Sequence, residues 1–178
     1  GSGLDALDRV LGKGLVPGAA ILVGGEPGIG KSTLLLQVAG AVAAAGRGVL
    51  YLSGEESLPQ LKARAARLGV LHDELMAVAT TRLDDVLPHL EGPEAPALLI
   101  VDSVQTVSSD RAEGLPGNVG QVRAVSTEIV EACKRSGTTV LLVGHVTKDG
   151  ALAGPRLLEH LVDTVISIEG DRRQMFRL

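Results

Sequence analysis

Gly25-Glu26-Pro27-Gly28-Ile29-Gly30-Lys31-Ser32-Thr33 sets the expectation for everything around it. The spacing is G-x-x-x-x-G-K-[ST], a loop that wraps the phosphates of a nucleoside triphosphate. Glycines let the backbone turn where a side chain would clash, so that successive N–H groups can face phosphate oxygens. Lys31 supplies a compact charge for the β- and γ-phosphates, and the Ser32 hydroxyl a ligand for Mg²⁺. Working outward, Ala19–Val23 is a short apolar run suited to a buried parallel strand. Thr33–Ala45 is rich in helix formers and long enough for about three turns. Strand, glycine loop and helix in that order place the loop at a helix N-terminus, whose partial positive charge adds to an anion site.

The chain has 178 residues, enough for one domain with a full core. It is 45% hydrophobic, yet Tyr51 and Phe176 are its only aromatics, so the core must be aliphatic. A net charge of −4 gives no global basic field; DNA binding would have to rest on a few cations in loops. Cys133 is the sole cysteine, which excludes an internal disulfide and a cysteine-cluster zinc site, and it reads as a small buried residue on a helix. No apolar run reaches membrane-spanning length and no signal peptide is visible, so a cytoplasmic protein with no membrane partner is expected. The abrupt start at Gly1-Ser2 and the stop at Leu178 read as an excised piece of something longer.

Further along, Ser2 can cap a short helix to Leu11, with Leu4, Leu7, Val10 and Leu11 on one face. Val49–Leu52 is the next strand, and Pro59 opens a helix to about Leu68. A weaker strand falls near Leu75–Val78 and a short helix near Leu83–Leu90. Ala97–Val101, ending in Asp102, is the clearest strand of the chain. A polar stretch from Ser103 to Gly120 leads to a helix over Gln121–Arg135 and then a strand over Thr138–Val143. Asp163–Ile168 and Gln174–Leu178 read as two strands of a C-terminal β-hairpin around Glu169-Gly170-Asp171. Strands alternating with helices predict an α/β fold with a mostly parallel central sheet flanked by helices.

Ligands of such sheets bind beyond the carboxyl ends of the strands. Asp102 stands where an acid completes the Mg²⁺ site beside Ser32. Glu55 and Glu56 follow the Val49 strand, and one of them can orient or deprotonate the water that attacks the γ-phosphate, Glu55 before Glu56. His145 follows the Thr138–Val143 strand, a position from which to sense the γ-phosphate and signal to the next loop. His72, His89 and His160 show no ligand spacing.

Together these segments resemble the RecA-like P-loop ATPase core and, within it, the RadA (Sms) family of bacterial DNA-repair ATPases. The resemblance rests on Ser2–Gly18, Gly24–Gln37, Tyr51–Ser57, Leu98–Thr106, Pro116–Arg123 and above all Gly144–Val165. It implies an ATP-dependent DNA motor of recombinational repair that drives branch migration as a hexameric ring on single-stranded and branched DNA, with a recombinase as a further partner. It also implies two DNA loops facing the ring's channel. One is Ser108–Gly120, with Arg111 inside and Arg123 just beyond; the other is Val146–Arg156, with Lys148 and Arg156. On residues alone each is a flexible polar loop with one or two cations, and with so few aromatics any grip would be on phosphates. Three family features are missing between residues 1 and 178: a four-cysteine zinc finger, where any zinc would belong, a protease-like C-terminal domain, and the K-N-R-F-G motif. Residues 1–178 are thus expected to bind ATP and ADP but to hydrolyse ATP slowly. On the same fold, a KaiC-like ATPase acting through protein partners, or a nucleotide-dependent assembly module, are the alternatives.

Overall fold

The computed structural model describes Leu7, Leu11 and residues 14–25, 30–145 and 155–168. Six strands form one sheet: β1 (Ala20–Gly25), β2 (Val49–Ser53), β3 (Leu75–Ala79), β4 (Leu98–Asp102), β5 (Thr139–His145) and β6 (Thr164–Ser167). Their order is β3-β2-β4-β5-β1-β6, and every pairing is parallel. The helices are α1 (Lys31–Ala44), α2 (Leu58–Leu68), α3 (Val119–Ser136) and the short α4 (Pro155–Leu158). This is the α/β fold of RecA-like P-loop NTPases. The second strand of the expected hairpin, Gln174–Leu178, and most of the expected first helix lie outside the described residues; Leu7 and Leu11 are helical.

Strand side chains alternate, and the alternation splits the core in two. Ala20, Leu22, Leu50, Leu52, Leu99, Val101, Val140 and Leu142 face α3, packing on Val122, Val125, Ile129 and Cys133. Ile21, Val23, Val49, Tyr51, Leu98, Ile100, Leu141 and Val143 face Leu34, Leu35, Leu36, Val38 and Ala39 of α1 and Leu61 of α2. Each fully buried Val, Leu or Ile of these layers contributes about 1.5–3 kcal/mol, so two layers that are aliphatic apart from Tyr51 suffice. Cys133 is buried on α3, as its sequence context suggests.

Local signals set the helix ends. Ser57 accepts from Gln60 N–H while Gln60 Oε1 accepts from Ser57 N–H, a capping box, with Pro59 in the first turn of α2. Gly69 closes α2 and Gly137 closes α3, both with left-handed φ (70° and 80°). The helix expected over Leu83–Leu90 is instead two 3₁₀ turns, Leu83–Asp85 and Leu87–Leu90. Pro88 lacks the N–H that an α-helix would use there.

The register places the strand ends. Gly25 of β1 lies opposite His145 of β5, and Ser53 of β2 opposite Asp102 of β4. The carboxyl ends of β1, β2, β4 and β5 therefore lie on one rim of the sheet.

Candidate nucleotide site

At that rim a cleft of about 520 Å³ is lined by Gly30, Lys31, Ser32, Thr33, Ser53, Glu55, Glu56, Arg64, Asp102 and His145. A groove of similar size, about 550 Å³, runs between α2 and β3, but its lining is mostly apolar and it lies away from these charged groups. The rim cleft has the chemistry.

Gly30 precedes α1 with φ +80°, a left-handed conformation that a side chain would strain. No side chain caps α1, which leaves its first-turn N–H groups for an anion. Lys31 is buried, and its Nζ donates to Gly25 O at 2.8 Å and to His145 Nδ1 at 2.9 Å. Burial lowers its pKa to about 8, against the pull of the Asp102 charge. The Lys31 ammonium has only donors, so His145 Nδ1 is the unprotonated ring nitrogen. Burial and the neighbouring Lys31 charge hold the imidazole below its ordinary pKa, hence neutral. The His145 backbone N–H reaches Gln105 Oε1 at 3.4 Å, which links the lysine to the turn after β4.

Tyr51 donates to Asp102 Oδ2 at 2.6 Å and lies 3.4 Å from Ser32 Oγ. Burial and the adjacent carboxylate keep that phenol protonated far above its ordinary range. Ser32 and Asp102 thus share one phenol oxygen as neighbour. A single hydroxyl and a single carboxylate suit Mg²⁺, which keeps several waters and takes further oxygens from phosphates. No cluster of three histidine, cysteine or acidic side chains among the described residues could bind a metal unaided. The donor set therefore fits a magnesium–nucleotide complex.

The two glutamates part company. Glu56 Oε1 accepts from Arg64 Nη1 at 2.5 Å, and its backbone N–H donates to Ser53 Oγ at 3.0 Å. Glu55 lines the cleft, is exposed and makes no ion pair among the described residues. Arg64, from the second turn of α2, also donates to Ser32 Oγ at 2.7 Å and Thr33 Oγ1 at 3.1 Å. Neither Arg64 nor Tyr51 was singled out for the site from sequence. For Tyr51 the signal was present: a lone phenol in an otherwise aliphatic strand must find a partner.

Glu26, Pro27, Gly28 and Ile29 of the phosphate loop, and Lys148 of the second proposed DNA loop, lie outside the described residues. Arg156 sits on α4. Arg123 is exposed on α3. Arg111 is exposed but already engaged: it pairs with Asp84 at 2.6 Å and with Glu128. The first proposed DNA loop is not the loose segment that its polarity suggests. Gln121, buried on α3, accepts from Ser109 N–H and donates to the carbonyls of Ser109, Ala112 and Gly114. One amide holds four backbone groups of three residues.

A family model described as an AAA domain matches residues 4–151. The chain is 52% identical to the DNA repair protein RadA of Mycobacterium tuberculosis (strain ATCC 25618 / H37Rv), over 99% of this chain and 37% of that protein. It is 49% identical to the DNA repair protein RadA of Aquifex aeolicus, over 99% and 39%, and to that of Streptococcus pneumoniae, over 98% and 41%. The chain spans about two fifths of the length of these relatives. The resemblance read from the motifs is borne out.

Proposed function

Because the chain belongs to the AAA domain family, we propose that it is the ATP-hydrolysing core of a DNA motor in recombinational repair. The observation that carries this reading is the convergence of Lys31, Ser32, Glu55 and Asp102 on one cleft at the carboxyl ends of parallel strands. Relatives named for DNA repair support the biological setting.

In this reading Lys31 leaves Gly25 O and His145 for the β- and γ-phosphate oxygens, and phosphate charge restores its full protonation. Magnesium, when bound through Ser32 and Asp102, neutralises charge on the phosphates. Glu55, exposed in the cleft and not held by Arg64, orients and accepts the proton of the attacking water. His145 loses its lysine partner when nucleotide binds, and its link to Gln105 passes that change to the turn after β4. The domain spans residues 1–178, assembles as a hexameric ring in the cytoplasm, and meets single-stranded or branched DNA, with a recombinase nearby, during branch migration. Arg123, Lys148 and Arg156 provide the contacts to DNA phosphates; Arg111, already paired twice, does not. Among the described residues no helix is long and apolar enough to cross a membrane.

The test is calorimetric titration with ADP and ATP, together with steady-state hydrolysis with and without single-stranded DNA. Binding of both nucleotides is expected, with slow turnover by residues 1–178 alone. Lys31→Ala should weaken ADP roughly 100-fold, the loss of two charge-assisted hydrogen bonds. Unchanged affinity in Lys31→Ala refutes the phosphate role. Absence of salt-sensitive DNA binding in the longer protein refutes the motor.

A further inference from the structure

Arg64 lies where a cation is needed and where the magnesium would have to go. Its guanidinium forks across the two hydroxyls of the first turn of α1, Ser32 Oγ at 2.7 Å and Thr33 Oγ1 at 3.1 Å, and holds Glu56 Oε1 at 2.5 Å. Side-chain exposure is 20% for Arg64 and 28% for Glu56, so the pair is largely withdrawn from water. A guanidinium offers only donors, and here one N–H occupies a lone pair of the Ser32 oxygen. A metal bound by Ser32 needs that oxygen's electrons, and two cations crowding one hydroxyl repel each other. Arg64 and magnesium therefore compete for Ser32 in this arrangement.

We propose that Arg64 is a placeholder cation: it orients Ser32 and Thr33 through its own hydrogen bonds and withdraws onto Glu56 when magnesium–nucleotide binds. The inference rests on the nucleotide reading above. Arg64 and Glu56 sit at opposite ends of one stretch, the loop after β2 and the second turn of α2. The withdrawal therefore couples metal loading to that loop, which also carries Glu55 into the cleft. Arg64 is a positioning residue. It orders the Ser32 and Thr33 hydroxyls, at the expense of magnesium affinity.

The experiment is calorimetric titration of the chain with ADP, once in excess magnesium and once in EDTA, for the parent, Arg64→Gln and Arg64→Lys. Arg64→Gln should bind ADP in magnesium about tenfold more tightly, the factor carried by one charge-assisted hydrogen bond that no longer competes. Its affinity in EDTA should stay within about twofold of the parent, and Arg64→Lys should fall between the two. Thermal melting of each variant verifies that the fold is kept. If ADP affinity in magnesium is unchanged or weaker in Arg64→Gln, the placeholder role is wrong. If both variants lose affinity equally with and without the metal, Arg64 is a nucleotide contact, and the proposal is again refuted. Failure of the parent to bind ADP under either condition instead removes the nucleotide reading itself.

Discussion

Replacing Gly54 by alanine probes how closely the loops after β2 and β4 are fitted together. Gly54 does not have a left-handed φ, so its backbone would accept alanine. Space is what forbids it. An added Cβ would stand 1.9 Å from Thr106 Oγ1 and 2.6 Å from Thr106 Cβ. Thr106 would have to move, although its Oγ1 donates to Ser103 O at 2.8 Å and accepts from Ser103 N–H at 3.3 Å. Two hydrogen bonds at about 1 kcal/mol each, with overpacking at about 1–3 kcal/mol, give a loss of roughly 3–5 kcal/mol. In a domain of this size that lowers the melting temperature by about 6–20 °C. Because Gly54 N–H also donates to the backbone carbonyl of Asp102 at 3.0 Å, the strain reaches the backbone at the end of β4 as well. The assay is thermal unfolding of Gly54→Ala, Thr106→Gly and the double variant. The double variant removes both close approaches and should show a favourable coupling of about 1 kcal/mol or more. A single Gly54→Ala variant melting within about 2 °C of the parent would refute the steric argument.

Other outcomes follow from the same coordinates. Glu55→Gln should slow steady-state ATP hydrolysis by about 10²–10⁴-fold while leaving ADP affinity intact, and Glu56→Gln, its carboxylate being held by Arg64, should slow it much less. Equal losses in the two variants would reassign the base. Burial pushes the Cys133 thiol up to about 12 from about 9. The folded state thus keeps a proton that the unfolded chain sheds, so this contribution is intact below pH 9 and drains away toward pH 12, by up to about 1.4 kcal/mol per pH unit. Urea midpoints at pH 8 and pH 10 should therefore fall further for the parent than for Cys133→Ala; parallel falls would contradict it. Arg123→Ala should weaken DNA binding and lessen its salt dependence, whereas Arg111→Ala, removing a cation already paired with Asp84 and Glu128, should leave DNA affinity unchanged in a filter or anisotropy assay.

Much of the fold was legible because apolar runs such as Leu98–Val101 and Ala20–Val23 are buried on both faces and are followed by polar groups that have nowhere to go but the rim. Lys31, Ser32 and Asp102 were found from spacing and position. Choosing between Glu55 and Glu56 needed coordinates, since adjacent residues in a loop diverge and only Arg64, eight positions on, reveals which one is engaged. Arg64 itself lies on a helix whose other cations, Lys62 and Arg67, look alike in sequence; only the packing of α2 beside α1 distinguishes it. The Ser103–Gly120 stretch read as loose because polar composition reports an affinity for water. It cannot report that Gln121, one turn into the following helix, gathers four of that stretch's backbone groups.

The placement of the phenol on β2 has a practical corollary. The chain contains one tyrosine and no tryptophan, and Tyr51 Oη touches Asp102 and lies beside Ser32. Tyrosine emission from this protein therefore originates at the very spot where a ligand would act. An unlabelled sample thus carries its own optical reporter. Changes in that signal on titration read the chemistry of the rim rather than the melting of some distant helix.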